Sequence, residues 1–173
     1  KEIIPVTTVE AAMKIAQNLF TNVHILGGER GGKIIPGFHL GNSPSEYTEE
    51  RVKGKAIIFS STHCSEAMAK SRYAREMVVC GFVNVSTVAS FLCRERQDVV
   101  IVCAGREGMF SMEDTVCAGM LISRIEATRG EPCALSDGAW AALLLFKKLG
   151  TRVPKLLRES EHGKFLRELG FEA

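Results

Sequence analysis

One pattern recurs along this chain and constrains its fold more than any other: an apolar run, a short polar turn, then a helix-forming segment. Residues 23–26 (VHIL) lead into a glycine-rich stretch, and 56–59 (AIIF) into Ser60-Ser61-Thr62-His63 and a helix through Ala67 and Ala69. Residues 77–80 (MVVC) lead through Gly81-Phe82 to Asn84, an N-cap for a helix over 85–94. Residues 99–103 (VVIVC) lead through Ala104-Gly105-Arg106-Glu107-Gly108 to Ser111, which with Asp114 caps a helix over 112–125. The intervals between apolar runs leave room for one crossover helix each, which parallel strands require. The run 99–103 is apolar on both faces, the mark of a central strand in a parallel sheet. The pattern predicts an α/β fold, a three-layer α/β/α sandwich with a largely parallel sheet. With 173 residues, 46% of them hydrophobic, and no linker or low-complexity tract, a single domain over 1–173 is expected.

Other segments complete that frame. Thr7-Thr8-Val9-Glu10 reads as a capping box opening a helix whose apolar face carries Val9, Ala12, Met13, Ala16, Leu19 and Phe20. Residues 139–146 (AWAALLLF) are apolar almost all round, which predicts a buried helix and leaves room for a homo-oligomer contact. Residues 156–169 predict short terminal helices. No apolar run approaches the roughly 20 residues of a membrane span, and no secretory apolar segment opens the chain, so no membrane partner is expected. Basic and acidic residues nearly balance, 22 against 20, which argues against nucleic acid as a partner. The six cysteines include no C-x-x-C pair, so the pattern predicts a cytoplasmic protein without a disulfide framework or zinc site, with Cys80 and Cys103 as small core residues.

The architecture carries the functional expectation, because ligands of open α/β sheets bind outside the carboxyl ends of the strands. The polar residues of the four turns are Glu29, Arg30, Asn42, Ser43, Ser61, Thr62, His63, Asn84, Arg106, Glu107, Glu113 and Asp114. In the stretch 27–46, Ser43 can cap a helix, Pro44 take its first position and Glu46 close a capping box, and such a helix start suits an anion. Arg30 and Arg106 each follow a strand and a glycine; they suit bidentate binding of phosphate or sulfonate, or surface salt bridges with Glu29 and Glu107. Glu113 and Asp114 suit the positive end of a helix, and two such carboxylates also suit Mg²⁺ whose shell a phosphate completes. Thr62-His63-Cys64 is the nearest approach to a nucleophile cluster, with no third orienting group in sequence. Asn84 reads first as an N-cap and His24 as structural. Gly27, Gly28, Gly31 and Gly32 match neither standard nucleotide fingerprint.

In series, these elements resemble the 2-phosphosulfolactate phosphatase family of coenzyme M biosynthesis. The likeness runs through Pro5-Val6, Glu10-Ala11-Ala12, Gly28-Glu29-Arg30, Gly37-Phe38, Gly41-Asn42-Ser43-Pro44, Ser61-Thr62, Asn84, Cys103-Ala104-Gly105, Glu113-Asp114 and Ala118-Gly119. The resemblance implies a Mg²⁺-dependent phosphatase that converts 2-phospho-3-sulfolactate to 3-sulfolactate and phosphate, a small substrate carrying phosphate, carboxylate and sulfonate. It implies Arg30, Asp114 and Glu113 as catalytic, with Asp114 and Glu113 holding the metal. Glu29, Asn42, Ser43, Thr62, His63, Asn84 and Arg106 would line the substrate; no residue of this chain stands out as a nucleophile, so direct attack by water is the expectation. Two departures stand out. Thr62-His63-Cys64-Ser65 replaces the family's Thr-Asn-Gly-Thr turn, and the family's N-terminal strand and helix with an Asp-x-x-Arg-Ala motif, and its C-terminal end, have no counterpart here. The chain is therefore expected to be a fragment or a shortened relative. Two rival readings follow: a non-catalytic or altered-specificity anion-binding relative, and a thiol hydrolase using Cys64.

Overall fold

The computed structural model of this chain describes residues 2–19 and 24–171. The chain divides into two compact units, Lys1–Arg75 and Glu76–Ala173. Its class is α/β as expected, with an open, mostly parallel four-stranded sheet and eight α-helices among the described residues.

The first unit holds the sheet, in the order β1-β4-β2-β3: β1 (Glu2–Pro5), β2 (His24–Arg30), β3 (Lys33–Ile34) and β4 (Ala56–Ser60). β4 lies parallel between β1 and β2, with Ala56 level with both Glu2 and His24, and only β3 runs antiparallel. Helix α1 (Val9–Asn18) joins β1 to β2 across the place β4 fills. Its N-cap is Thr8 rather than Thr7: the Thr8 hydroxyl accepts the Ala11 N–H at 3.1 Å. Val9, Ala12, Ala16 and Leu19 turn inward onto Val6, Leu26, Phe38 and Ile58, whereas Met13 is exposed. Phe20 and Val23 of the expected pattern lie outside the described residues. Each large side chain fully buried here, such as Leu40 or Ile58, contributes roughly 1.5–3 kcal/mol.

The glycine-rich stretch is not the loop its composition predicts. Residues 27–30 continue β2, and Gly31-Gly32, with φ of 57° and 75°, form the two-residue turn that sets Arg30 opposite Lys33 on β3. Gly28 has a different reason. Its φ is 144°, and a Cβ there would collide with the Ser60 carbonyl of β4. The expected helix at Ser43 shrinks to a 3₁₀ turn, Pro44–Glu46. Glu46 accepts the Gly41 N–H at 2.9 Å instead of reaching back to Ser43, and the Tyr47 hydroxyl donates to the Gly41 carbonyl at 2.7 Å. Those two bonds fold the chain back after one turn. Two short helices complete the unit, α2 (Glu49–Val52) and α3 (Cys64–Lys70).

The second unit is helical: α4 (Val85–Glu95), α5 (Met112–Arg129), α6 (Asp137–Leu149), α7 (Val153–Glu159) and α8 (Glu161–Glu168). Val85, Val88 and Ala89 of α4 pack on Leu121 and Ile125 of α5. Gly119 lets α6 approach α5 closely, since a Cβ at that position would collide with the Ala142 carbonyl. The expected strands 77–80 and 99–103 are not paired strands. Ile101 and Cys80 reach the helical core, but Val100 is 86% exposed, and Val78, Val79 and Val102 face outward as well. Alternating sides is a property of a single run; a ladder also needs a neighbour in register. Cys103 is likewise exposed rather than a core residue. α6 is not buried all round either: Ala142 and Leu143 face inward, while Trp140 is 58% and Leu144 49% exposed. A single neighbouring helix covers one stripe of it.

Candidate active site

Three parallel strands of the first unit end together, and their carboxyl ends gather the polar groups. Arg30, the last residue of β2, lies across this rim. Its Nη1 donates to the Glu29 carbonyl at 2.8 Å, and its Nη2 donates to the Ser60 hydroxyl at 2.8 Å and the Thr7 carbonyl at 3.1 Å. Arg30 therefore bonds the backbone of Glu29, not its carboxylate. Ser60, wholly buried, passes its own proton to the Val6 carbonyl at 3.0 Å. The guanidinium is thus fixed by groups at the ends of β2 and β4 and just past the end of β1.

Glu29, 8% exposed, turns toward the other side of the same rim. Its Oε1 accepts the Thr62 N–H at 2.7 Å; its Oε2 accepts the Gly32 N–H at 2.9 Å and the Thr62 hydroxyl at 3.1 Å. Burial alone would raise the Glu29 pKa, but the Thr62 and Gly32 donors, with the Arg30 charge, outweigh it and hold the carboxyl below its usual range. Thr62, expected on the substrate, turns both its donors onto Glu29. The turn after β4 is held further by buried Ser61 and Ser65, whose backbone N–H groups each donate to the other's hydroxyl, at 2.8 and 3.2 Å. His63 precedes α3 at φ −116°, and Cys64 is its first residue. Neither needs positive φ, so this turn closes without the glycine of the family's Thr-Asn-Gly-Thr. Asn42 is exposed and Ser43 bonds Ser45 through their hydroxyls at 2.8 Å; both follow Gly41, whose carbonyl accepts the Gly28 N–H at 3.2 Å.

The second unit carries the other expected residues. Ser111 caps α5, accepting the Asp114 N–H at 3.2 Å. Asp114 in turn accepts the Gly105 N–H at 2.8 Å, closing the turn that carries Arg106. Residues 106–109 form a tight reversal with mutual backbone bonds, Glu107 and Gly108 both at positive φ. Arg106 pairs with Glu161 at 4.0 Å, and its guanidinium lies 5.2 Å from the Phe165 ring centre. Glu113 accepts the Ser111 hydroxyl at 3.2 Å and the Ser160 hydroxyl at 2.5 Å. Asn84 precedes α4 but does not cap it with its side chain; its amide accepts the Gly81 N–H at 2.7 Å and donates to the Val79 carbonyl at 3.0 Å. The thiols nearby are chemically quiet. Burial pushes Cys117 up to about 12, and Cys80 shifts upward for the same reason.

A magnesium ion takes oxygen donors and is commonly held by one or two carboxylates, with water and phosphate completing its shell. Glu113 and Asp114 fit that chemistry: each bond they accept leaves carboxylate lone pairs for a cation. Among the described residues no group of three or more His, Cys, Asp or Glu gathers as a ready-made metal site. Ser60 beside Arg30, Ser65 beside Ser61 and Ser160 beside Glu113 are not among the residues that sequence singles out. The available signals were a polar residue closing an apolar strand at Ser60 and a helix-capping pattern, Ser160-Glu161-His162-Gly163.

The sequence model of the 2-phosphosulpholactate phosphatase family matches residues 1–173. A probable 2-phosphosulfolactate phosphatase of Caldanaerobacter subterraneus subsp. tengcongensis is 38% identical over 99% of this chain and 70% of its own length. One from Symbiobacterium thermophilum is 38% identical over 98% of the chain and 72% of its length, and one from Clostridium beijerinckii 36% over 98% and 71%.

Proposed function

This chain belongs to the 2-phosphosulfolactate phosphatase family, and from that premise we propose that it hydrolyses 2-phospho-3-sulfolactate to 3-sulfolactate and inorganic phosphate. The observation that carries this reading is the fixed guanidinium at the sheet's carboxyl rim. Arg30 directs three of its five N–H donors at Glu29, Ser60 and Thr7. The cation is therefore oriented before any anion arrives, and its remaining donors serve a phosphoryl or sulfonate oxygen. Orientation in advance is where electrostatic catalysis gains most, because nothing has to reorganise as charge develops.

Water attacks phosphorus, the ester P–O bond breaks, and the departing alkoxide of sulfolactate takes up a proton. Arg30 neutralises charge on the transferring group, and Glu29 holds the turns on either side of it. Asp114 and Glu113 would hold magnesium, which when bound supplies Lewis-acid polarisation of the phosphoryl oxygens. Release of inorganic phosphate from phosphosulfolactate, with and without chelator, tests the reading. Arg30→Ala and Asp114→Asn are each expected to lower magnesium-dependent release by about 10²–10³-fold. Full activity in both variants overturns this assignment. A rise in melting temperature on adding phosphate or a sulfonate, with no turnover, would point to the non-catalytic anion binder.

A further inference from the structure

The end of the chain reaches a catalytic candidate through a residue that has no need to do so. α7 stops and α8 starts at Ser160, whose hydroxyl oxygen accepts the Gly163 N–H at 3.1 Å, an ordinary helix cap. Capping uses a lone pair and leaves the hydroxyl proton uncommitted. That proton has two acceptors in reach: the Leu157 carbonyl at 3.2 Å and Glu113 Oε1 at 2.5 Å. A hydroxyl has one proton to give, and the shorter, charge-assisted bond takes it. Gly163 fixes this placement, because a Cβ there would collide with the Leu157 carbonyl, so only glycine lets the two helices meet this closely.

Seen from Glu113, the arrangement is two-sided. One carboxylate oxygen accepts the hydroxyl of Ser111, the cap of its own helix; the other accepts Ser160, 47 residues further along the chain. α8 also supplies Glu161 and Phe165 to Arg106, so Glu113 and Arg106 both meet side chains of the same short helix and its cap. We infer that Ser160 is a positioning residue for the phosphatase reaction, its hydroxyl fixing the Glu113 carboxylate in its working orientation. The inference rests on the reading above that Glu113 serves catalysis. A carboxylate held on both oxygens has little rotamer freedom left to lose when the phosphorylated substrate binds, and such outer partners commonly matter 10–100-fold.

The test compares Ser160→Ala, Ser160→Gly, Ser160→Thr, Glu113→Gln and the Ser160→Ala/Glu113→Gln double variant of the full chain, using phosphosulfolactate as substrate. Ser160→Ala is expected to lower kcat about 10–100-fold while KM stays within about twofold. Ser160→Gly keeps a tolerated cap but no proton; it should fold like the parent by thermal melting and match Ser160→Ala in kcat. Ser160→Thr, which keeps the hydroxyl, should recover most of the rate. The double variant should be no slower than Glu113→Gln alone, since a residue acting through Glu113 has nothing left to position. Parental kcat in Ser160→Ala and Ser160→Gly beside an impaired Glu113→Gln overturns the inference and leaves the catalytic reading intact. Losses that multiply in the double variant also overturn it. Full activity in Glu113→Gln removes the premise, and the inference with it.

Discussion

Glu29 and Glu113 are both hydrogen-bonded acids, yet they are held in opposite ways. Glu29 ends on two backbone N–H groups and a hydroxyl, partners placed by the sheet and its turns. Glu113 ends on two hydroxyls, each on a side chain that can rotate. The arginines repeat the contrast. Two of the three acceptors of Arg30 are backbone carbonyls, whereas Arg106 meets a 93% exposed carboxylate at 4.0 Å and the face of a ring. In the first unit, site geometry is a consequence of the backbone; in the second it is assembled from side chains. A backbone-built site fails when strands cannot close, and a side-chain-built one fails one bond at a time.

The strongest challenge to that contrast is Gly28→Ala. Its methyl would occupy the space of the Ser60 carbonyl, at a φ few residues adopt, so β2 and β4 separate just where Arg30 and Ser60 must meet. A loss of about 3 kcal/mol or more is expected in urea unfolding, with phosphate release lost alongside. Gly31→Ala is the control: its φ is also positive, but nothing lies near the new methyl, and the cost should be about 1–2 kcal/mol. Equal costs would mean that close approach is not what the first unit depends on.

Replacing each arginine by lysine sharpens the contrast further. Lysine keeps the charge but loses the planar fork. Arg30→Lys cannot reproduce three fixed bonds and should lower kcat/KM about 10²-fold in the phosphate-release assay. Arg106→Lys, with looser partners, should lower it by less than about tenfold. A reversal of that order would place the rigid cation in the wrong unit.

What could be read from sequence divides along the same line. Ser111 and Asp114 were legible because a cap and its partner lie three residues apart, and helix α5 followed from that local signal, whereas Asn84 marks the start of α4 without capping it through its side chain. The apolar run 56–59 gave β4, and the position of Arg30 just after a strand marked it out. The partners were not legible. Glu29 and Thr62 are 33 residues apart, and Glu113 and Ser160 are 47 apart. No local pattern encodes that Gly28 faces Ser60, so its glycine read as loop. The runs 77–80 and 99–103 show the reverse failure, since their composition suits strands and pairing is decided elsewhere.

Glu29→Gln should cost less stability than Gly28→Ala, with a distinctive pH signature. Its carboxyl titrates below 4.5 when folded, so the charge contributes stability above that value and the contribution fades as pH falls through the folded pKa. The amide variant should be about 1–3 kcal/mol less stable near neutral pH, because an NH₂ group now faces donors. Below pH 4.5 the gap to the parent should narrow. A gap independent of pH in thermal melts from neutral to acid conditions would show that the ionised form is not what holds the turns.

Glu161→Gln should do least. Its carboxylate is almost fully exposed, the separation from Arg106 is at the outer limit of an ion pair, and the cation keeps the Phe165 ring beneath it. Solvent screens such a pair, and holding two long side chains in register costs entropy that offsets the attraction. The melting temperature should therefore stay within about 1 °C of the parent, at low salt and high salt alike. A drop comparable to that of Glu29→Gln would show that α8 is fastened through Arg106 as firmly as the rim is through Glu29. The distinction between a backbone-built and a side-chain-built site would then fail at its weakest contact, where it ought to be safest.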